Sequence, residues 1–364
     1  MKRSNIVKIN IFLVVVLATV LLSFGKRDIS SLKVLLYLAI STICTTVLHE
    51  CIHALAFYVR GMAVSSIIIG VIVFRLSPSF SISFLPLKYL LHGGVVIPDV
   101  GQFNKTSLNT QRKTLEISLV SAPVISIVIG LACLFFYMRG ASLFFLLMFV
   151  SGTLSFINAF SSDENSTGDF IAASKIKGSE SYIKSYLLTN IFLIHGFETI
   201  EKKVCDICEE NMSGEGSETT SVLLDYGQKY ILFLLLSIVL AGGKFDVPSL
   251  ICKAEKCLLG LNQTQYSEID SSLHLRLIMV KKLYSVTERA ELLKQFYQIP
   301  ILGEQNCYYQ KQGEIIFGLS RNAEYLFSSA TKITESINYL NLIYPSWTQM
   351  EETINNRILM NCNL

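Results

Sequence analysis

The stretch His49-Glu50-Cys51-Ile52-His53 carries the residue types and spacing best suited to chemistry in this chain. Residues four apart on a helix share a face, so both imidazoles can bind one zinc ion at roughly 2.0–2.1 Å. Glu50 follows the first imidazole directly, from where its carboxylate can reach a water polarised by the metal without being a ligand itself. It would take the proton as that water attacks a peptide carbonyl, then return it to the leaving amine. The competing explanation is coincidence. With five histidines in the whole chain the pattern rarely arises by accident. Three ionisable residues inside an otherwise apolar stretch are also costly, and such groups are normally retained for function.

Two histidines do not complete a catalytic zinc site, which takes three protein ligands and keeps one position open, here with one ion per chain. In the apolar first half the candidates for the third are Asp28, His92, Asp99, Asp163, Glu164 and Asp169. Asp28 falls at the opposite membrane face and Asp99 in an expected turn. Asp163, Glu164 and Asp169 remain, with His92 more distant in the sequence pattern, and three-ligand chemistry alone allows any of them.

The elements that must position these groups are mostly helical. A spanning helix needs about 20 predominantly apolar residues. Four stretches meet this: about Ile6–Phe24, Val34–Tyr58 (which holds the His-Glu-His group), Leu115–Tyr137 and Ala141–Phe160. Lys2 and Arg3 before the first stretch also suit a signal peptide, but no small-x-small cleavage site follows cleanly. Lys2, Arg3, Lys8, Arg60, Arg112, Lys113, Lys175 and Lys177 favour both termini in the cytoplasm, against a weaker set at Lys26, Arg27 and Lys33. Between the second and third stretches the sequence turns β-branched and alternating, as in AVSSIIIGVIVFRL and FSISFLPL, and then reads HGGVVIPD. Short strands at or dipping into the membrane face are expected there. Gly93 and Gly94 permit close approach of another backbone, so this segment could receive an extended substrate by edge pairing.

After about residue 175, Lys and Glu become frequent and the apolar period is helical. The expected organisation is a membrane domain over residues 1–175 and a cytoplasmic all-helical domain over 176–364. Ile231–Leu240 is too short to span and reads as a buried helix. GKFD between two helices resembles the turn of tetratricopeptide repeats, without a second clear copy, and SGEGSETTS at 213–221 is a flexible connection. Cys205-x-x-Cys208 with Cys252 and Cys257 could supply four thiolates, but no second Cys-x-x-Cys is present, and reduced thiols are the simpler expectation. His195 and His274 sit among apolar neighbours and read as packed or capping residues. The net charge of +3, with no basic block interleaved with aromatics, gives nucleic-acid binding little support.

Over roughly residues 35–175 the chain resembles the site-2 protease family of intramembrane zinc metalloproteases, in a bacterial form. The resemblance rests on His49-Glu50-x-x-His53 with Gly61 after it, on Gly93-Gly94-Val95-Val96-Ile97-Pro98-Asp99, on Ser121-Ala122-Pro123-Val124-Ile125-Ser126, and on Asn158 followed by Ser166-Thr167-Gly168-Asp169. The third segment is similar to the family's Ala-Gly-Pro helix start. The resemblance implies that Asp169 is the third ligand and that Asn158 positions substrate backbone. It implies cleavage of a membrane-spanning or membrane-proximal peptide in a bacterial cytoplasmic membrane, in regulated proteolysis or peptide maturation, with the helical domain recruiting a protein partner. Three departures stand out: Gly168-Asp169 reverses the family's Asp-Gly order, Ser161 stands where proline is expected, and Ala122 replaces a glycine. They motivate a rival reading, an inactive membrane scaffold or immunity-type binding protein that keeps the fold. A proton-relay transporter would also explain intramembrane charge, but not the His-Glu-x-x-His spacing.

Overall fold

The structure, a computed structural model, describes residues 31–77, 79–88, 94–100, 108–163, 166–197, 199–200, 226–259, 261, 266–322, 324–330 and 339–362. The span expected at Ile6–Phe24, together with Asp28, His92, Gly93, Glu164, the connection at 213–221 and the Cys205-x-x-Cys208 pair, lies outside the described residues. The chain is mostly helical with one small antiparallel sheet, and it divides into two compact units, Met1–Ser179 and Glu180–Leu364.

In the first unit, α1 (Ser31–Val59) and α2 (Leu108–Met138) are the two helices, among the described residues, long and apolar enough to cross a membrane. At 1.5 Å per residue they measure about 43 and 46 Å, beyond the roughly 30 Å of a hydrocarbon core. Each contains the span expected there. The fourth expected stretch forms α3 (Leu143–Asn158), an apolar helix of 16 residues that stops short of a full span. It stops because the chain turns at Ala159–Ser161, with Phe160 N–H donating to Ile157 and Ser161 N–H to Asn158. Small residues let α2 and α3 approach closely. A Cβ at Gly152 would lie 3.1 Å from the Ser126 carbonyl oxygen, and one at Gly130 would lie 3.5 Å from the Phe149 backbone. Backbones meeting at such positions gain dispersion contacts that apolar lipid does not supply.

Pro123 falls inside α2, within the span expected at Leu115–Tyr137, although its motif is similar to the family's helix start. An interior proline removes one ladder donor and crowds the preceding turn. The carbonyl left without that donor is that of Leu119. The adjacent Ser118 carbonyl accepts from His53 Nδ1 at 2.8 Å and from Ser121 Oγ at 2.9 Å.

Between α1 and α2 lie β1 (Ala63–Ile69), β2 (Ile72–Arg75), β3 (Ser81–Phe84) and β4 (Gly94–Asp99), in sheet order β3-β2-β1-β4, antiparallel throughout. β1 and β2 join through Gly70-Val71, with Gly70 at φ +59°, the positive angle that a primed hairpin turn demands. Pro98 and Asp99 belong to β4 rather than to a turn. Pro98 lies on the edge strand, opposite Val64 where the register shifts past Ser65 of β1, and an edge strand beside a bulge is where a residue without an N–H fits. After α3 come a two-residue hairpin, β5 (Ser162–Asp163) with β6 (Ser166–Thr167), and then α4 (Asp169–Gly178).

The second unit is helical in all its described elements: α5 (Glu180–His195), α6 (Tyr226–Ala241), α7 (Val247–Leu258), α8 (Glu268–Leu283), α9 (Arg289–Gln298), α10 (Gly303–Ile316) and α11 (Ser346–Cys362). α6 is its buried centre, with Phe233 through Leu240 at most 2% exposed, as expected of an apolar run too short to span. Asp246 caps α7 by accepting from Ser249 N–H, with Pro248 in the first turn. His274 is packed against Tyr266, whose hydroxyl lies 2.9 Å from Nδ1, and burial pushes its pKa down to about 4. The core also buries a charge. Arg276 pairs with Glu351, both fully inaccessible, while Gln312 accepts from Arg276 at 2.8 Å and donates to Glu351 at 3.0 Å. Removing one member of such a pair strands the other in a medium that cannot solvate it. Glu351→Ala is therefore expected to destabilise this unit by about 3–5 kcal/mol. The joint change Arg276→Met with Glu351→Leu should lose much less. Denaturation in detergent, followed by the fluorescence of Trp347, the chain's sole tryptophan and fully buried beside Phe192 and Phe233, measures both.

Candidate metal centre

α1 carries His49 and His53 one turn apart, and both are buried, at 8% and 5% exposure. Their Nε2 atoms are 3.2 Å apart. Asp169, the first residue of α4, brings Oδ2 to 3.1 Å from His49 Nε2 and 3.4 Å from His53 Nε2. These three atoms form a nearly equilateral triangle. For zinc bonded to N and O at about 2.0–2.1 Å, the edge of a ligand tetrahedron is about 3.3–3.4 Å. The triangle therefore has the size of one face of a zinc tetrahedron, with the fourth vertex free.

The donor set fits a cation on chemical grounds too. A carbonyl oxygen only accepts, so the bond from His53 Nδ1 to the Ser118 carbonyl places the ring proton on Nδ1 and leaves Nε2 with its lone pair. His49 Nδ1 lies 3.2 Å from the hydroxyl of Ser126 on α2 and 3.2 Å from that of Ser155 on α3. Two imidazole lone pairs and a carboxylate at such separations repel one another in an apolar surround unless a positive charge sits between them.

Glu50 is 5% exposed and faces the start of β4. A Cβ at Gly94 would overlap its side chain, so the glycine is needed where the strand passes the carboxylate. Sequence reasoning assigned Gly94 to close approach of substrate. Its nearest tight neighbour is Glu50.

The two departures at 161 and 168 have local explanations. Gly168 N–H donates to Ser161 at 2.7 Å and Phe170 N–H to Ala159 at 3.0 Å, docking the start of α4 on the end of α3. A Cβ at Gly168 would overlap the Asn158 and Ala159 carbonyl oxygens, so the residue before Asp169 must be glycine. Ser161 replaces a proline by closing the same turn with its hydroxyl, 2.7 Å from the Asn158 carbonyl. Asn158 ends α3, three residues beyond Ser155, and Asp163 lies in β5. Among the described residues one group of three metal-competent side chains converges, and it is His49, His53 and Asp169. Cys252 is exposed and Cys257 half-buried, both on α7.

Against known proteins, the model of peptidase family M50 matches residues 37–352, nearly the whole chain. The chain belongs to peptidase family M50. This is the site-2 protease family to which the motifs point, and its match extends through both units. M50 membership supports an intramembrane metallopeptidase in general terms, since members are zinc-dependent membrane proteins that act on peptides. No curated protein and no solved structure matches the chain at a significant level.

Sequence reasoning found the histidines but not the groups that hold them: Ser155, the Ser118 carbonyl, and Ser126 in that role. A signal existed in the small polar residues at helical spacing within apolar helices, Ser118 and Ser126 on α2 and Ser151 and Ser155 on α3. Metal analysis of detergent-purified protein should find about one zinc per chain in wild type. His49→Ala, His53→Ala and Asp169→Ala should each lose it, and Asp163→Ala should keep it. Gly168→Val, which touches no ligand atom, should lose it as well, because the added side chain displaces the start of α4.

Proposed function

We propose that the protein is an intramembrane zinc endopeptidase that cuts a membrane-spanning or membrane-proximal peptide. The convergence of Asp169 Oδ2 with the two Nε2 atoms, in the same helix turn as a buried Glu50, carries this reading. His49, His53 and Asp169 would hold the metal. When bound, zinc supplies a positive charge that acidifies water and polarises a carbonyl. Glu50 takes the proton of the attacking water on its carboxylate and hands it to the departing amine nitrogen. Gly94, by passing flush against Glu50, confines that carboxylate to one orientation. A helical substrate has its backbone paired internally and must unwind to be cut. β4 has one edge paired with β1, and among the described residues its other edge is unpaired, so an extended substrate can add there as a further strand. Asn158, at the end of α3, would hold the substrate backbone on the opposite side.

The same reading extends to topology. Ile6–Phe24 and α3 join α1 and α2 in a four-span arrangement with both termini in the cytoplasm of a bacterial cell, supported by the distribution of Lys and Arg. The second unit would then lie in the cytoplasm.

An inactive scaffold or immunity-type binding protein is separated from a peptidase by one substitution. Glu50→Gln keeps size and polarity but cannot accept a proton, so cleavage of a cognate or model membrane substrate should fall by about 10²–10⁴ while zinc content stays unchanged. Full cellular function in that variant would overturn the peptidase reading and favour the scaffold. Gly94→Val is expected to give the same pattern, cleavage lost with zinc retained, because it displaces Glu50 and leaves the ligands alone.

A further inference from the structure

His53 and His49 are supported differently. His53 leans on a backbone carbonyl, which no side-chain substitution can remove. His49 leans on side chains alone, the Ser126 and Ser155 hydroxyls, each 3.2 Å from Nδ1 and each from a different helix. Ser126 is 2% exposed and comes from α2, whereas Ser155 comes from α3. Both can reach one nitrogen because of Gly152, one turn before Ser155. A side chain there would begin 3.1 Å from the Ser126 carbonyl and push α3 off α2. The polar seam continues one and two turns further along α1. Thr45 faces Met148 with its hydroxyl 3.7 Å from sulfur, and Ser41 faces Ser151 at 3.5 Å. Hydroxyls meeting a histidine on the same seam therefore lie in register with it.

We propose that Ser126 and Ser155 are paired positioning residues for the metal. They accept jointly from His49 Nδ1–H, which holds the lone pair of Nε2 toward Asp169 and His53 and makes metal affinity depend on the contact between α2 and α3. The inference rests on the zinc reading above and deepens it. A serine hydroxyl in a helix can donate to a carbonyl one turn back, leaving its lone pairs for the imidazole N–H. Outer partners of a ligating histidine fix its tautomer and ring orientation, and their loss costs about 10–100-fold in metal affinity. Either hydroxyl can satisfy the same N–H, so removal of one alone should have a small effect and removal of both the full one.

The experiment is zinc affinity by chelator competition on the detergent-solubilised full chain. The single variants Ser126→Ala and Ser155→Ala should weaken binding by less than about threefold, and the double variant by about 10–100-fold. Packing is separated from hydrogen bonding by a matched pair on the Ser126→Ala background: Ser155→Thr keeps a hydroxyl, and Ser155→Val has the same shape without one. The Thr form should bind zinc near the single-variant level and the Val form like the double variant. Equal affinities for Thr and Val, or a double variant that binds as wild type does, would overturn the proposal while leaving the zinc site standing. A wild-type chain that binds no zinc would overturn both.

Discussion

Three atoms that carry lone pairs, two imidazole nitrogens and one carboxylate oxygen, are held within 3.4 Å of one another in a part of the chain otherwise built from Leu, Ile, Val and Phe. Burial of the two imidazoles weakens the screening that water would give such a cluster, so a positive charge among the three atoms, a proton or a metal ion, lowers its electrostatic cost. The rest of the first unit follows from keeping them together. α1 supplies two of the three from one face. The turn perturbed by Pro123 lends a carbonyl, Gly152 brings α3 within reach, and Gly168 lets α4 dock so that Asp169 arrives as its first residue. Each device is local and small, and each acts on the same triangle.

What could be read from residues alone divides by distance along the chain. The histidine pair was legible because a spacing of four is a property of the helix itself. The long apolar helices were legible by length, and the sheet by β-branched alternation broken at Pro78 and Pro86. The third member of the candidate site was not, since Asp169 lies 120 residues from His49 and only packing brings them together. Three-ligand chemistry left Asp163 and Asp169 equal, and family resemblance tipped the choice. Pro123 lies inside the helix, as the apolar span Leu115–Tyr137 expects, although its motif is similar to a helix start in the family. Gly94 was expected to face a substrate, and the neighbour that requires a glycine there is Glu50.

The second unit repeats the theme with different chemistry. α6 is as apolar as a membrane helix, yet it is covered by protein on every side that the described residues show. Arg276 is tolerated nearby because three kinds of partner meet it at once: a carboxylate, an amide oxygen, and the face of Tyr309 at 4.0 Å. A network of this kind favours one packing arrangement over many, since half of it is worse than none. The match to peptidase family M50 runs into this unit, to residue 352.

The shortness of α3 has a consequence of its own. At 16 residues it is about 24 Å long, against a hydrocarbon layer of about 30 Å and two neighbours well above that. In the proposed four-span arrangement this would be a hydrophobic mismatch confined to one helix of the unit. A bilayer relieves such a mismatch by thinning locally, which lowers the headgroup level on that side by several ångströms. α3 ends at the turn that leads into Asp169, so in the proposed four-span arrangement such thinning would fall at the end of α3 nearest the candidate metal triangle. The lipid itself would then bring the aqueous phase closer to those three atoms.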